Sequence, residues 1–247
     1  MLRALFLLVM LLTLLSPAAA VTHAQSAAAR ARTLVARHHQ DPRRIDQARD
    51  LLEQEIGRER RVETLIELSR VWYVYGDLRA TSDDDKLAAY DRGREIGKRA
   101  VELAPRDWQA HLWYAINTGR WAQTKGVVRS VFLLPTVREE IDAILTLNPR
   151  AAAGHALAGN VSFEVPTLLG GDRAKAEEHF RKGLAIDPTY TVIRVDLARL
   201  LIAQSRYADA RKELQRVLAE QAPTSIADWT VKDAPRARKL LEHLKGK

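Results

Sequence analysis

The sequence predicts an all-α fold: an α-solenoid of antiparallel helix pairs with extended intra-pair turns and a C-terminal capping helix. Three observations carry that expectation. The segments "VELAPRD", "LTLNPRA", "LAIDPTY" and "LAEQAPT" place Pro105, Pro149, Pro188 and Pro223 after similar endings, at intervals of 44, 39 and 35 residues. Upstream of three of these prolines, small or apolar residues recur at spacings of four, three and five: Gly93–Gly97–Ala100–Pro105, Val137–Ile141–Ile144–Pro149 and Ala176–Phe180–Gly183–Pro188. Ala210–Leu214–Val217 repeats the pattern, with Pro223 one residue late. Finally, no stretch alternates apolar and polar residues over a useful strand length.

Each element follows from these signals. Four-then-three spacing keeps the repeated residues on one helix face, where small side chains let a neighbour approach. Proline cannot continue the helix and biases the preceding residue away from helical geometry. So each unit ends in a helix, a proline and a new helix. "RRIDQARDLLEQEI" (43–56) begins the array. The helix at about 61–78 carries Leu65, Leu68, Trp72 and Tyr75 on one face. Further first helices are expected at 107–123, 151–164 and 189–204, with Ala115, Gly159 and Ala198 each ten residues past its proline. A basic helix at 233–244 closes the array. Inserted turns are expected at 77–86, 126–136 and 164–171, along one edge of the solenoid.

The chain ends differ from the body. "ALFLLVMLLTLL" (4–15) after Arg3, then Pro17 and "AAA", has the layout of a signal peptide over 1–24. The run is too short for a membrane span, which needs about 20 apolar residues. The expected localisation is therefore periplasmic, with no integral span after cleavage. Residues 25–42 are expected as a basic flexible segment, and 43–247 as the repeat domain. The net charge of +8 concentrates at 25–44 and 232–247 and leaves the body nearly neutral. A nucleic-acid partner would need a basic stripe on the body, so none is expected. With no cysteine, disulfides, thiolate chemistry and a cysteine-linked lipid anchor are excluded.

The units resemble the tetratricopeptide repeat (TPR), a helix–turn–helix of 34 residues. Residues 189–223 come closest, with Leu197, Ala198, Tyr207, Ala210 and Leu214 of suitable type. From His111 to Leu218 the chain resembles something narrower. "LWYAINTGRWAQTKG" (112–126), "VREEIDAILTLNP" (137–149) and "FEVPTLLGGDRAKAEEHFRKGLAIDP" (163–188) form an ordered series. It is similar to the T component associated with tripartite ATP-independent periplasmic (TRAP) transporters, and to the regulator of microtubule dynamics proteins. The Gly-Arg-Trp of 119–121 and the Pro-x-Leu-Leu-Gly-Gly-Asp of 166–172 are its most specific parts. The resemblance implies a helical-repeat body that binds other proteins. For TRAP-linked members it implies an exported partner of a periplasmic solute-binding protein. The absence of cysteine departs from the members that resemble lipoproteins.

A search for chemistry leaves little. Gly170–Gly171 before a helix could cradle an anion, but no strand precedes them and neither GxxxxGK[ST] nor GxGxxG is present. They read as a turn, with Asp172 as N-cap of the next helix. His38 and His39 point apart on a helix, and the chain has no HExxH, no GxSxG and no cysteine ligand set. "SDDDK" (82–86) lacks the alternation and the glutamate of a calcium loop. No metal, no cofactor and no enzymatic activity are expected.

Most aromatics at helical spacing belong to the core, and the remainder can line a groove. The first helix of each pair lines the concave side of such solenoids. Stepping along these helices in register gives a lining of Ile66, Arg70, Tyr73, Leu112, Ile116, Arg120, Asn160, Phe163, Arg199 and Ile202. That lining suits an extended peptide or a partner helix, with Arg120 or Arg199 reaching a carboxylate. The same Arg120 could instead pair with a neighbouring acid of its own chain. The leading expectation is an exported, non-catalytic adaptor for a protein partner in the cell envelope, with a homo-oligomer compatible. The alternative is a transport accessory holding a small apolar or anionic ligand in a helical cavity.

Overall fold

The computed structural model describes residues 26–58 and 61–247, and the expected signal peptide lies outside them. Helices α1 (Ala27–Val35) and α2 (Arg43–Arg58) lead into α3 (Val62–Leu78) and α4 (Asp83–Leu103). The pairs α5 (Trp108–Lys125) with α6 (Val127–Leu147), α7 (Ala152–Glu164) with α8 (Arg173–Ile186), and α9 (Thr191–Ala203) with α10 (Tyr207–Ala219) follow. The C-terminal segment runs through α11 (Ile226–Asp228), a π-helical turn (Trp229–Asp233) and α12 (Ala234–His243). No strand occurs among the described residues.

The residues that gave the repeat away are the ones that pack it. Ala100, Ile144, Ala176, Phe180, Ala210, Leu214 and Val217 are fully buried. So are Ala115 and Ala198 on the facing helices. At Gly159 a Cβ would lie 2.5 Å from the Phe180 ring, so only glycine lets α7 and α8 close. Two main cores result. One is built by α1–α4 around Leu52, Leu65, Leu68 and Ile96. The other gathers α7–α10 and α12 around Phe180, Ile193, Leu197, Leu200 and Leu244. Smaller clusters at α5–α7 join them.

Two expected segments differ. Residues 25–42 were expected to be flexible, yet α1 packs Ala28, Ala31 and Val35 inward. Ser26 caps it by accepting from the Ala29 N–H. The bases Arg30, Arg32 and Arg37 simply occupy its exposed side. The expected turn at 126–136 is also helical: α6 runs through Pro135, a residue that removes one helical hydrogen bond. Every buried residue of α6 lies beyond that proline, at Val137, Ile141 and Ile144. The first two turns therefore project from the bundle, where water can satisfy the orphaned carbonyl.

Three of the four repeat prolines, Pro105, Pro149 and Pro188, also anchor the helix after them. The side chain six residues on returns to the prolyl carbonyl: His111 Nε2 to Pro105 at 3.0 Å, His155 Nε2 to Pro149 at 3.1 Å, and Arg194 to Pro188 at 2.8 Å. The same side chain then reaches the second helix of its unit. His111 meets Glu140, and Arg194 donates to Glu213. In the middle unit the acid is replaced. There Nδ1 of His155 lies 3.1 Å from Nδ1 of His179, so His179 donates and a neutral His155 accepts.

That substitution makes the middle unit acid-sensitive. Burial, and then His155, hold the His179 imidazolium below its usual 6.5, with Lys182 and Lys175 adding to the effect against Glu178. As pH falls through 6.5 the unfolded chain takes the proton first, so stability declines on acidification. His179→Glu restores the acid of the other units. Urea unfolding is expected to show this variant gaining about 1 kcal/mol over the native chain between pH 7.5 and 5. Parallel pH dependences would refute the assignment.

Candidate partner-binding face

Helices α3, α5, α7 and α9 are the first helices of their pairs, and the ten predicted lining residues divide among three roles. Ile66 and Leu112 are buried core residues, not lining. Neighbouring helices enclose both side chains, Ile66 in the α1–α4 core and Leu112 against Ala115, Ile144 and Ala151. Ile116 and Ile202 are half-buried at the edges of core clusters. The remaining six form two groups.

The first group surrounds an acid that the sequence reading missed. Asp77 of α3 accepts from Arg120 of α5 at 2.6 Å and from Lys232 of the π-helical turn. Tyr73, one turn before Asp77, lies between the Tyr90 and Trp113 rings, with centroids 6.5 and 5.8 Å away. Lys232 Nζ sits 5.7 Å from the Tyr73 centroid. Arg70, nearby on α3, pairs with Glu67. Burial would raise the Asp77 carboxyl, but Lys232 and Arg120 outweigh it and hold it below 3.8. Burial opposes the charge on Lys232 too; Tyr73 and Asp77 more than offset that and raise its ammonium. Beside this cluster, Gly76, Asp83, Lys86, Tyr90, Arg120 and Thr124 border an open cavity of about 430 Å³.

The second group surrounds Asp196 of α9, which is 4% exposed. It accepts from Asn160 of α7 at 2.9 Å, from Arg199 at 3.3 Å and from Arg236 of α12 at 3.4 Å. Arg199 also reaches Glu164 and lies 5.5 Å from the Phe163 ring centroid. Arg120 and Arg199, expected to reach a carboxylate of a partner, are thus both paired within the chain.

Lys232 and Arg236 are four residues apart, and between them they tie α3 to α9. The C-terminal segment is therefore a clasp across the inner face, joining the two ends of the array. His38, 3% exposed at the end of α1, adds a contact 3.5 Å from Asp228. Burial raises the Asp228 carboxyl, but the His38 hydrogen bond and Lys232 prevail and lower it. Thr191 donates to Asp233 at 2.7 Å, yet burial pushes that carboxyl up to about 6. The Trp229 indole donates to the Val217 carbonyl at 2.7 Å. A π-helical turn, often found where a helix carries function, lets one helix place Lys232 inward while Ala237 and Leu244 pack on the last core. Two cations of the basic terminus, Lys232 and Arg236, thus pair with acids of α3 and α9.

Asp77 and Asp196 each lie one turn from a predicted lining residue, Tyr73 and Arg199. That register was the available signal. Lys232 offered none, being 155 residues from its partner. Among the described residues no group of three or more His, Cys, Asp or Glu is placed to hold a metal ion. The Gly170–Gly171 turn is closed by its own chain: Gly171 N–H donates to the Pro166 carbonyl at 3.0 Å. Asp172 accepts from the Ala174 and Lys175 N–H groups as the expected cap.

Antiparallel helix pairs stacked around a shared inner face define a helical-repeat protein of the tetratricopeptide kind. A thermophilic TPR protein of Thermus thermophilus superposes with a TM-score of 0.63 at 22% identity, covering 83% of this chain and 98% of that one. A structure described as a functional characterization of Pseudomonas aeruginosa pilF gives 0.51 at 14% identity, covering 90% and 93%. At these identities the likeness is one of fold.

The family model "Regulator of microtubule dynamics protein 1-3" matches residues 29–245, and the chain belongs to that family. Regulator of microtubule dynamics protein 3 of Rattus norvegicus is 25% identical over 120 residues, 48% of this chain and 26% of that protein. Regulator of microtubule dynamics protein 1 of Bos taurus is 27% identical over 106 residues, 43% and 33% respectively. The chain thus matches about a quarter to a third of the length of these relatives.

Proposed function

We propose that this chain is an exported, non-catalytic adaptor that holds a protein partner against the inner face of its helical array. The observation that supports this reading most is the clasp. The inner face already grips a helix, the chain's own, through Lys232 at Asp77 and Arg236 at Asp196, with His38 adding an imidazole–acid contact from beyond α1. A face that recognises one helical turn by charge and apolar fit is chemically equipped for a partner helix or extended peptide. Phe163, Asn160 and Arg199 offer the half-buried ground for it beside the clasp. The family is named for the regulation of microtubule dynamics. The apolar run at 4–15 instead supports export, and the 163–188 series supports a role with a TRAP transporter, whose periplasmic solute-binding protein is the proposed partner.

The test uses the purified chain and envelope proteins from its own host. Arg120→Ala with Phe163→Ala is expected to weaken pull-down of the partner at least tenfold, with helicity by circular dichroism retained. Undiminished capture would refute the inner-face assignment. The competing reading, a small ligand in a cavity, draws on the 430 Å³ recess beside Arg120, whose Nε has no partner among the described residues. Native mass spectrometry separates the two: a retained small molecule favours the recess, and a bound protein favours the adaptor.

A further inference from the structure

The first two turns of α6 bury nothing, although they are strongly apolar. Val127 is 80% exposed, Val128 86% and Phe132 71%, with Val131 at 40%. At these spacings the four side chains form one ridge. Gly126, at φ +107°, turns the chain between α5 and α6 within a single residue and throws that ridge outward. Leu168, 95% exposed, stands in the turn that follows α7, and Arg138, beyond Pro135, holds that turn by donating to the Leu169 and Gly170 carbonyls at 2.9 and 3.0 Å. Contiguous apolar surface of this kind marks an interaction site.

The surrounding charge indicates what covers it. From Trp108 to Arg138 the sequence contains no acidic residue and four bases. Two of them, Lys125 and Arg129, are exposed at the rim and lie 5.9 and 5.8 Å from the Trp121 ring centroid. Arg129 also lies 5.7 Å from the Phe132 ring. The acids of α6, Glu139, Glu140 and Asp142, fall beyond Pro135 in the half that packs. Asp91 is held by Arg94, whose guanidinium covers Trp121 as well. Apolar ridge, indole at the border and a cationic rim without acids is the composition of a helix that lies in a membrane interface.

We infer that the projecting half of α6 docks this protein on an anionic phospholipid surface. Val127, Val128, Val131 and Phe132 enter the boundary between headgroups and acyl chains, and Lys125 and Arg129 meet the phosphates. No described helix is long and apolar enough to cross a membrane, so the contact is peripheral.

Because the chain has no cysteine, one can be introduced as a unique label site. The full chain carrying Val128→Cys with an environment-sensitive fluorophore is mixed with phosphatidylglycerol vesicles and, separately, with phosphatidylcholine vesicles. The expected result is a blue shift and brightening on phosphatidylglycerol only, reversed by salt. The same probe at Asp50→Cys on α2 should stay unchanged, which separates α6 docking from attachment through the apolar N-terminus. Adding Arg129→Glu and Phe132→Asp should weaken the response at least tenfold with circular dichroism unaltered. A silent probe, a response that the added substitutions leave intact, or a concentration-dependent shift without vesicles would each overturn the inference. The last would identify a second copy of the chain as the occupant.

Discussion

Gly171→Ala is expected to be among the most damaging single-methyl additions to this protein. A Cβ at that position would lie 1.7 Å from the Val165 carbonyl oxygen and 2.7 Å from the Val165 carbonyl carbon. Both are backbone atoms, so no rotamer change relieves the collision. The turn is tied on both sides: Gly171 donates to Pro166, and Asp172 N–H donates to the Ser162 carbonyl at 2.8 Å. Moving the backbone therefore breaks the junction between α7 and α8 and the cap of α8 together. A loss of about 3–4 kcal/mol is expected, at the upper end of overpacking costs. For a chain of this size that lowers the melting temperature by about 6–16 °C. Gly119→Ala is the matched control, since nothing lies within 4 Å of its Cβ position in the middle of α5. There alanine should stabilise by about 0.5–1 kcal/mol. Calorimetry of the two variants checks both signs, and a tolerated Gly171→Ala would show that the turn can relax.

Asp77→Ala is the second substitution with a large expected effect. It leaves Arg120 and Lys232 facing each other without the carboxylate that joins them. Asp77 and Lys232 side chains are 13% and 20% exposed, but Arg120 is 43% exposed and can turn to water. The expected cost is about 2–3 kcal/mol, less than for a fully buried pair. The clasp should loosen before the helices melt, because the α1–α4 core takes no residue from the C-terminal segment. Limited proteolysis in the connector at 220–225 should accelerate, and small-angle scattering should show an expanded chain. The exchange Asp77→Lys with Lys232→Asp should recover part of the loss, which Asp77→Lys alone cannot. The same contact predicts acid lability. The Asp77 carboxyl is held below 3.8 in the folded chain, so its contribution is present above that value and lost as pH falls beneath it. Unaltered proteolysis in Asp77→Ala would remove the clasp as a structural link.

The periodic part of the fold was legible because packing leaves a local trace. Phe180 and Ala176 sit four apart and Gly183 three further on, so one helix displays its contact face without reference to any other. The departures have equally physical causes. Helix α1 went unread because alanine buries little area per residue, and Arg30 and Arg32 flank Ala31 in the sequence. The projecting half of α6 read as a turn because Gly126 and Pro135 flank it, and both usually interrupt helices. Here the glycine ends one helix and starts the next, while the proline sits where its missing N–H costs little. On the inner face, Tyr73, Arg120, Asn160 and Arg199 were placed by register alone. Their partners Asp77 and Asp196 are single carboxylates with no local motif around them, which a solvated acid resembles equally well. Lys232 and Arg236 come from a distant segment, and nothing local to either marks which carboxylate it will find.

The clasp also fixes how many units this protein can hold. An open rod of repeats can gain or lose one at little cost, since each unit meets only its neighbours. Here two cations a single turn apart must reach α3 and α9 at once, so the gap between those helices is measured by a ruler of constant length. One more unit would part the carboxylates beyond that reach and strand a lysine or an arginine. The repeat number is therefore a fixed dimension of the molecule, and its evolution must proceed by reshaping units instead of counting them.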